Sequence, residues 1–153
     1  MMNLVVFLFV IAPISIVLHE LGHAGSAYLL KADCIHFSIG IGKERKVIRV
    51  GRLFIHLHTL PFMGGHAASE KELDFSKMEK ILISSAGPLV NGLVAVLILS
   101  LFPLGTSNIL SLTFYFNLWL AIMNIIPFRV GQKKSDGYVC MEIIFNTFRR
   151  KRK

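Results

Sequence analysis

No lysine or arginine occurs before Lys31, so the basic start of a secretory leader is missing. The apolar run over residues 4–30 is also longer than a leader's hydrophobic stretch, and it reads as a retained membrane helix. Two further stretches, residues 81–104 and 109–128, contain no Asp, Glu, Lys or Arg. Each has the roughly 20 residues needed to cross a hydrocarbon core. Cysteine is scarce as well. Cys34 and Cys140 are the only two, with no C-x-x-C spacing, and they read as reduced thiols rather than as a disulfide or thiolate metal site.

What is abundant is apolar side chain, 54% of the 153 residues, above the 45–50% of an ordinary soluble domain. The pattern predicts an α-helical integral membrane protein, a single domain over residues 1–153 with three core spans at about 4–30, 81–104 and 109–128. The formal charge is +8, yet its placement argues against nucleic acid. Every Lys and Arg lies between Lys31 and Lys80 or from Arg129 onward, and the connection "PLGTSN" carries none. The positive-inside rule then puts both basic segments in the cytoplasm, with the N-terminus out and the C-terminus in. The tail "RRKRK" reads as an anchor to the lipid surface.

Between the first two spans lies a membrane-associated β loop at about residues 34–66. Residues 47–50 and 53–60 flank Gly51 as a hairpin, with Leu53, Ile55 and Leu57 alternating with Phe54, His56 and His58. Pro61, Gly64 and Gly65 are expected to end the strands. The charged run "SEKELDFSKMEK" reads as an interfacial helix. A short amphipathic helix follows the third span, in "DGYVCMEIIFNTF".

The chemistry lies in "HELGH", residues 19–23, an H-E-x-x-H pattern set within an apolar span. Positions i and i+4 share a helix face, so His19 and His23 can hold one ion. Ionisable groups at that depth are expensive and mark function. Zinc suits imidazole and takes three protein ligands plus water in catalytic sites, lowering that water's pKa to about 7. Glu20 stands where it can take the water's proton and deliver it to a leaving amine. The third ligand should lie near the same membrane face. Asp136, Glu142, His36, His56, His58 and His66 all qualify. Asp136 is favoured because Gly137 after it permits an unusual turn. In "SSAGPLVNG", Asn91 either makes an interhelical hydrogen bond or faces the reaction centre.

"HELGH", then "AGPLVNG", then "NIIP" with a later "DG" resemble the site-2 protease family of intramembrane zinc metalloproteases, over roughly residues 14–137. The resemblance implies zinc held by His19, His23 and Asp136, with Glu20 catalytic and with Asn91 and Asn124 near substrate. Two departures stand out. The run "NIIPFRVGQKKSDG" lacks a second Pro and has Ser135 where the family commonly has Leu, with a longer basic stretch before Asp136. There is also no room for a PDZ domain, so the chain resembles a minimal catalytic core.

The function expected is an intramembrane zinc endopeptidase. It would cut membrane-tethered proteins or small leader peptides near the cytoplasmic face. An exposed strand edge over residues 54–59, including Phe54, is expected to capture extended substrate by strand addition, and His66 in "PFMGGH" to contact it at the entrance. The expected partners are peptide substrate and lipid bilayer, with no nucleic acid. Three spans leave a thin wall, so a homodimer or a regulatory membrane partner is also compatible. The competing reading is a catalytically silent membrane protein that binds or shields a peptide, as an immunity protein does. Glu20 argues against it, since metal binding alone needs no base there. Metal transport fits the compact motif less well.

Overall fold

The computed structural model describes residues 2–103 and 105–151. Leu104, at the end of the expected second span, and Arg152 and Lys153 of the expected anchor lie outside them. Three helical runs are long and apolar enough to cross a membrane: Met2–Leu29, Lys77–Leu101 and Asn108–Ile125.

The first run has three parts, α1 (Met2–Val6), a π-helical turn at Phe7–Ile11, and α2 (Ala12–Leu29). Pro13 has no N–H to give the Phe9 carbonyl. Just before it the ladder widens, with the Ala12 N–H bonding to the Phe7 carbonyl. After α2, the strands β1 (Cys34–Val50) and β2 (Leu53–Glu70) form one sheet. They pair antiparallel at both ends, residues 34–39 against 65–70 and residues 46–50 against 53–57. Residues 35–39 also lie beside 53–57, with partner numbers rising together from Ile35–Leu53 to Ile39–Leu57, which is a parallel relation. Two continuous strands thus fold back on themselves and act as four. Gly40 makes the fold possible: its φ is +85°, and an added Cβ would lie 2.6 Å from Pro61 Cα.

This sheet runs further than the sequence suggested. Pro61, Gly64 and Gly65 do not end it, and β2 continues to Glu70. The expected interfacial helix is also absent: residues 71–76 are turns and coil, and Lys77 already opens the second span. Ser76 caps that helix, α3 (Lys77–Leu101), by a reciprocal box in which Ser76 Oγ accepts from Glu79 N and the Glu79 carboxylate accepts from Ser76 N at 2.7 Å. The sheet lies along the first helical run, with Gly65 against Glu20 and Ile16, and the Phe62 ring 5.5 Å from Phe9.

Helix α4 (Asn108–Ile125) follows, then the small hairpin β3 (Arg129–Val130) and β4 (Lys133–Lys134), then the amphipathic α5 (Asp136–Lys151). Small residues set the crossings. Ala24 and Ala27 of α2 pack with Ile35, Phe37 and Phe75, and Leu53 and Ile55 join them as the alternation predicts. A Cβ on Gly22 would sit 2.7 Å from the Ala86 carbonyl oxygen, so α2 and α3 touch backbone to backbone. Leu93, Val96 and Leu97 of α3 and Trp119 and Ile122 of α4 point outward, as side chains facing lipid would.

Candidate metal centre

His19 and His23 share one face of α2, and α3 crosses directly over them. Gly87 is the reason it can: a Cβ there would lie 2.8 Å from His19 Nε2 and closer still to His23 Nε2. Glycine at this position leaves room for two imidazoles, a role "AGP" alone does not disclose. The next residue, Pro88, has no N–H for the Ser84 carbonyl, and Ser84 lines the cleft at the centre.

Asp136 arrives from far along the chain, and its delivery explains the long segment before it. Residues 129–134 fold into a hairpin that turns at Gly131, φ +60°. Ser135 then ties the hairpin to α4 and caps α5. Its hydroxyl accepts from Phe128 N at 3.0 Å and Tyr138 N at 3.1 Å, and donates to the Ile126 carbonyl at 2.8 Å. A hydroxyl has one proton and two lone pairs, so Ser135 is fully used. Gly137 does not make the unusual turn expected of it. It is the second residue of α5 and has no left-handed φ. Its requirement is space, since a Cβ would strike the Ile125 carbonyl.

Three candidate ligand atoms converge. His19 Nε2 lies 3.2 Å from His23 Nε2 and 3.2 Å from Asp136 Oδ2, and His23 Nε2 lies 3.4 Å from Asp136 Oδ1. Two ligands on a tetrahedral zinc with bonds of about 2.0–2.1 Å stand roughly 3.3 Å apart. The other ring nitrogens are already committed, His19 Nδ1 to Asn91 Oδ1 at 2.6 Å and His23 Nδ1 to the Ile83 carbonyl at 2.7 Å. Both Nδ1 atoms therefore donate, and both Nε2 atoms turn lone pairs toward one point together with a carboxylate. Such a point needs a cation, so the residues fit zinc. Among the described residues, His19, His23 and Asp136 are the single such group that could hold a metal ion. The other candidates for third ligand, Glu142, His36, His56, His58 and His66, lie outside it.

Residues 6–104 match the family model of peptidase family M50, the site-2 protease family. The chain belongs to this family. M50 peptidases are zinc-dependent membrane metalloproteases, and the match holds the H-E-x-x-H segment and Asn91 but stops short of Asp136. Asp136 therefore rests on the geometry above. No curated protein matches the chain.

The remaining expected residues divide. Glu20, Asn124 and His66 line a cleft of about 320 Å³ with His19, His23 and Asp136, beside Lys134 and Val139. The Asn124 amide is turned by a hydrogen bond from Nδ2 to the Leu120 carbonyl. Asn91 does not face this cleft. It is fully buried behind His19 and holds that ring. Phe54 is not at the cleft either. Its ring stacks on His36, and residues 54–57 pair on both sides, with 36–39 and with 46–49, so they offer no free edge. Two segments have a partner on one side alone, 46–50 and 65–70, and of these 65–70 adjoins Glu20 through Gly65. Sequence reading missed it because Gly64 and Gly65 looked like a strand end.

Proposed function

We propose that this protein is a zinc endopeptidase that hydrolyses peptide bonds in or beside membrane-spanning segments. The supporting observation is the convergence of His19 Nε2, His23 Nε2 and Asp136 on one point, with the Glu20 carboxylate in the same open cleft. Zinc held by these three residues would supply Lewis acidity and an activated water. Glu20 is the one carboxylate of the cleft not engaged as a ligand, so it takes the proton as attack begins and returns it to the departing nitrogen.

A transmembrane helix hides its carbonyls in its own ladder, so substrate must be unwound before cleavage. Residues 65–70 offer a strand edge for the unwound segment, and the Ser84 carbonyl, freed by Pro88, offers a further acceptor. An apolar groove of about 340 Å³ on the far side of Asp136, lined by Pro88, Ile125 and Met141, suits a hydrophobic side chain of that substrate. The charge map supports a centre near the cytoplasmic face, with N-terminus out and C-terminus in.

Co-expression of single-span candidate substrates with wild type and with Glu20→Gln tests the reading. Cleavage should fall by about 10²–10⁴-fold in the variant, with zinc content retained. Equal processing by both proteins removes Glu20 from the chemistry. Zinc binding without any cleavage by wild type favours the peptide-shielding alternative.

A further inference from the structure

The two histidines are held by different devices. His23 donates to a backbone carbonyl, Ile83, which no side-chain substitution can remove. His19 donates to an amide side chain, Asn91, which could in principle turn over and present its NH₂ instead. What forbids that turn lies further out. Asn91 Nδ2 faces the Ser15 carbonyl at 3.1 Å and Asn117 Oδ1 at 2.9 Å. A carbonyl oxygen can only accept, so the NH₂ must be on that side and Oδ1 must face His19. The Asn117 amide is set in the same way. Its Nδ2 donates to the Thr113 carbonyl at 2.8 Å and to Ser15 Oγ at 3.0 Å, which leaves Oδ1 for Asn91.

The geometry points to Asn117 as a positioning residue of the metal centre, acting through Asn91 to keep a proton on His19 Nδ1 and the Nε2 lone pair free for the ion. This rests on the reading of His19 as a ligand. Ser15, Asn91 and Asn117 are 2%, 0% and 0% exposed, so water cannot replace a lost partner. Ser15 is one turn before His19 on α2, Asn91 is on α3 and Asn117 on α4, so the relay ties all three spans to one ring. A half-satisfied network of this kind is costly in a dry interior. Asn117 is 26 residues from Asn91 and 102 from Ser15 in sequence, inside a run with no charge, where it looks like one more interhelical polar group.

The test uses the full chain, purified in lipid, with zinc affinity measured by competition against a chelator. Wild type should bind one zinc. Asn91→Leu should weaken binding by about 10–100-fold, and Asn117→Leu by about tenfold, the low end for an outer partner. The double variant should bind as Asn91→Leu does, because the second change acts only through the first. Asn117→Asp, neutral in this apolar setting, keeps an oxygen toward Asn91 and a hydroxyl for the Thr113 carbonyl, and should stay near wild type. If Asn117→Leu does not fold, nitrogen NMR of the zinc-loaded wild type decides. The His19 Nδ1 proton should be present and slow to exchange. Additive losses in the double variant, unchanged affinity in folded Asn117→Leu, or a His19 ring bound through Nδ1 each overturn the relay alone. Wild type without stoichiometric zinc overturns the relay and the metal reading together.

Discussion

Two regions of the molecule hold the same inventory, two histidines and a carboxylate, and only one of them gathers its donor atoms around a point. In the bundle, His19 and His23 place Nε2 atoms 3.2 Å apart, and Asp136 lies 3.2 and 3.4 Å from those same two atoms. In the sheet, His36 Nδ1 lies 3.0 Å from His56 Nε2, but Glu44 Oε2 meets His56 at Nδ1, at 2.6 Å, on the opposite side of the ring. The first set closes on a point and the second runs in a line. A metal ion needs donors arranged around one centre, and a hydrogen-bond chain needs them in series, so spacing between neighbours alone does not distinguish the two.

The strongest way to break this comparison is to remove one member from each set. Asp136→Ala or His23→Ala should weaken zinc binding by more than about 100-fold, beyond what losing an outer partner costs, whereas His56→Ala or Glu44→Ala should leave its stoichiometry at wild type. Zinc lost on changing the sheet set would mean that the ion sits elsewhere.

Glycines sharpen the contrast at a second level. Gly87→Ala should lower zinc affinity by roughly tenfold or more, because the new methyl displaces both ligand rings. Gly51→Ala in the sheet meets no atom within 4 Å but must hold φ +60°. It should cost about 1–2 kcal/mol of stability and leave zinc affinity unchanged, by thermal unfolding and chelator competition respectively.

The smallest effect belongs to the link between sheet and bundle. The Lys80 side chain, and after it the Phe75 N–H, hold the exposed Asp74 carboxyl below its ordinary range. A carboxylate shifted this way adds stability above its unfolded pKa and loses it as pH falls through the folded value. Asp74→Asn should therefore flatten the acid end of the stability curve slightly, with zinc affinity at neutral pH untouched.

Much of this was legible in the chain. Uncharged runs announced three helices long and apolar enough to cross a membrane, since hydrocarbon excludes charge whatever the fold, and the i, i+4 pair in "HELGH" put two histidines on one face through helix geometry alone. The strand alternation at Leu53 and Ile55 located a buried face. What went astray followed from long-range pairing. Phe54 looked like part of an edge, because period-2 alternation reports which side of a sheet a residue faces and is silent on how many neighbours its strand has. Gly64 and Gly65 looked like an ending, because glycine is conformationally permissive and marks turns and bends alike. Asn91, expected near substrate, stands behind His19.

The sequence by itself determined the apolar spans, the paired histidines and the carboxylate between them, all consequences of local periodicity and composition. Only the tertiary structure brought a distant carboxylate, Asp136, to the two histidines, and it did so through Ser135 and the hairpin before it. It also decided that Gly87 yields space to two imidazoles and that Asn91 and Asn117 face inward. Those are outcomes of helices crossing at contact distance, where a hydrogen bond's direction and a missing methyl group depend on residues a hundred positions away.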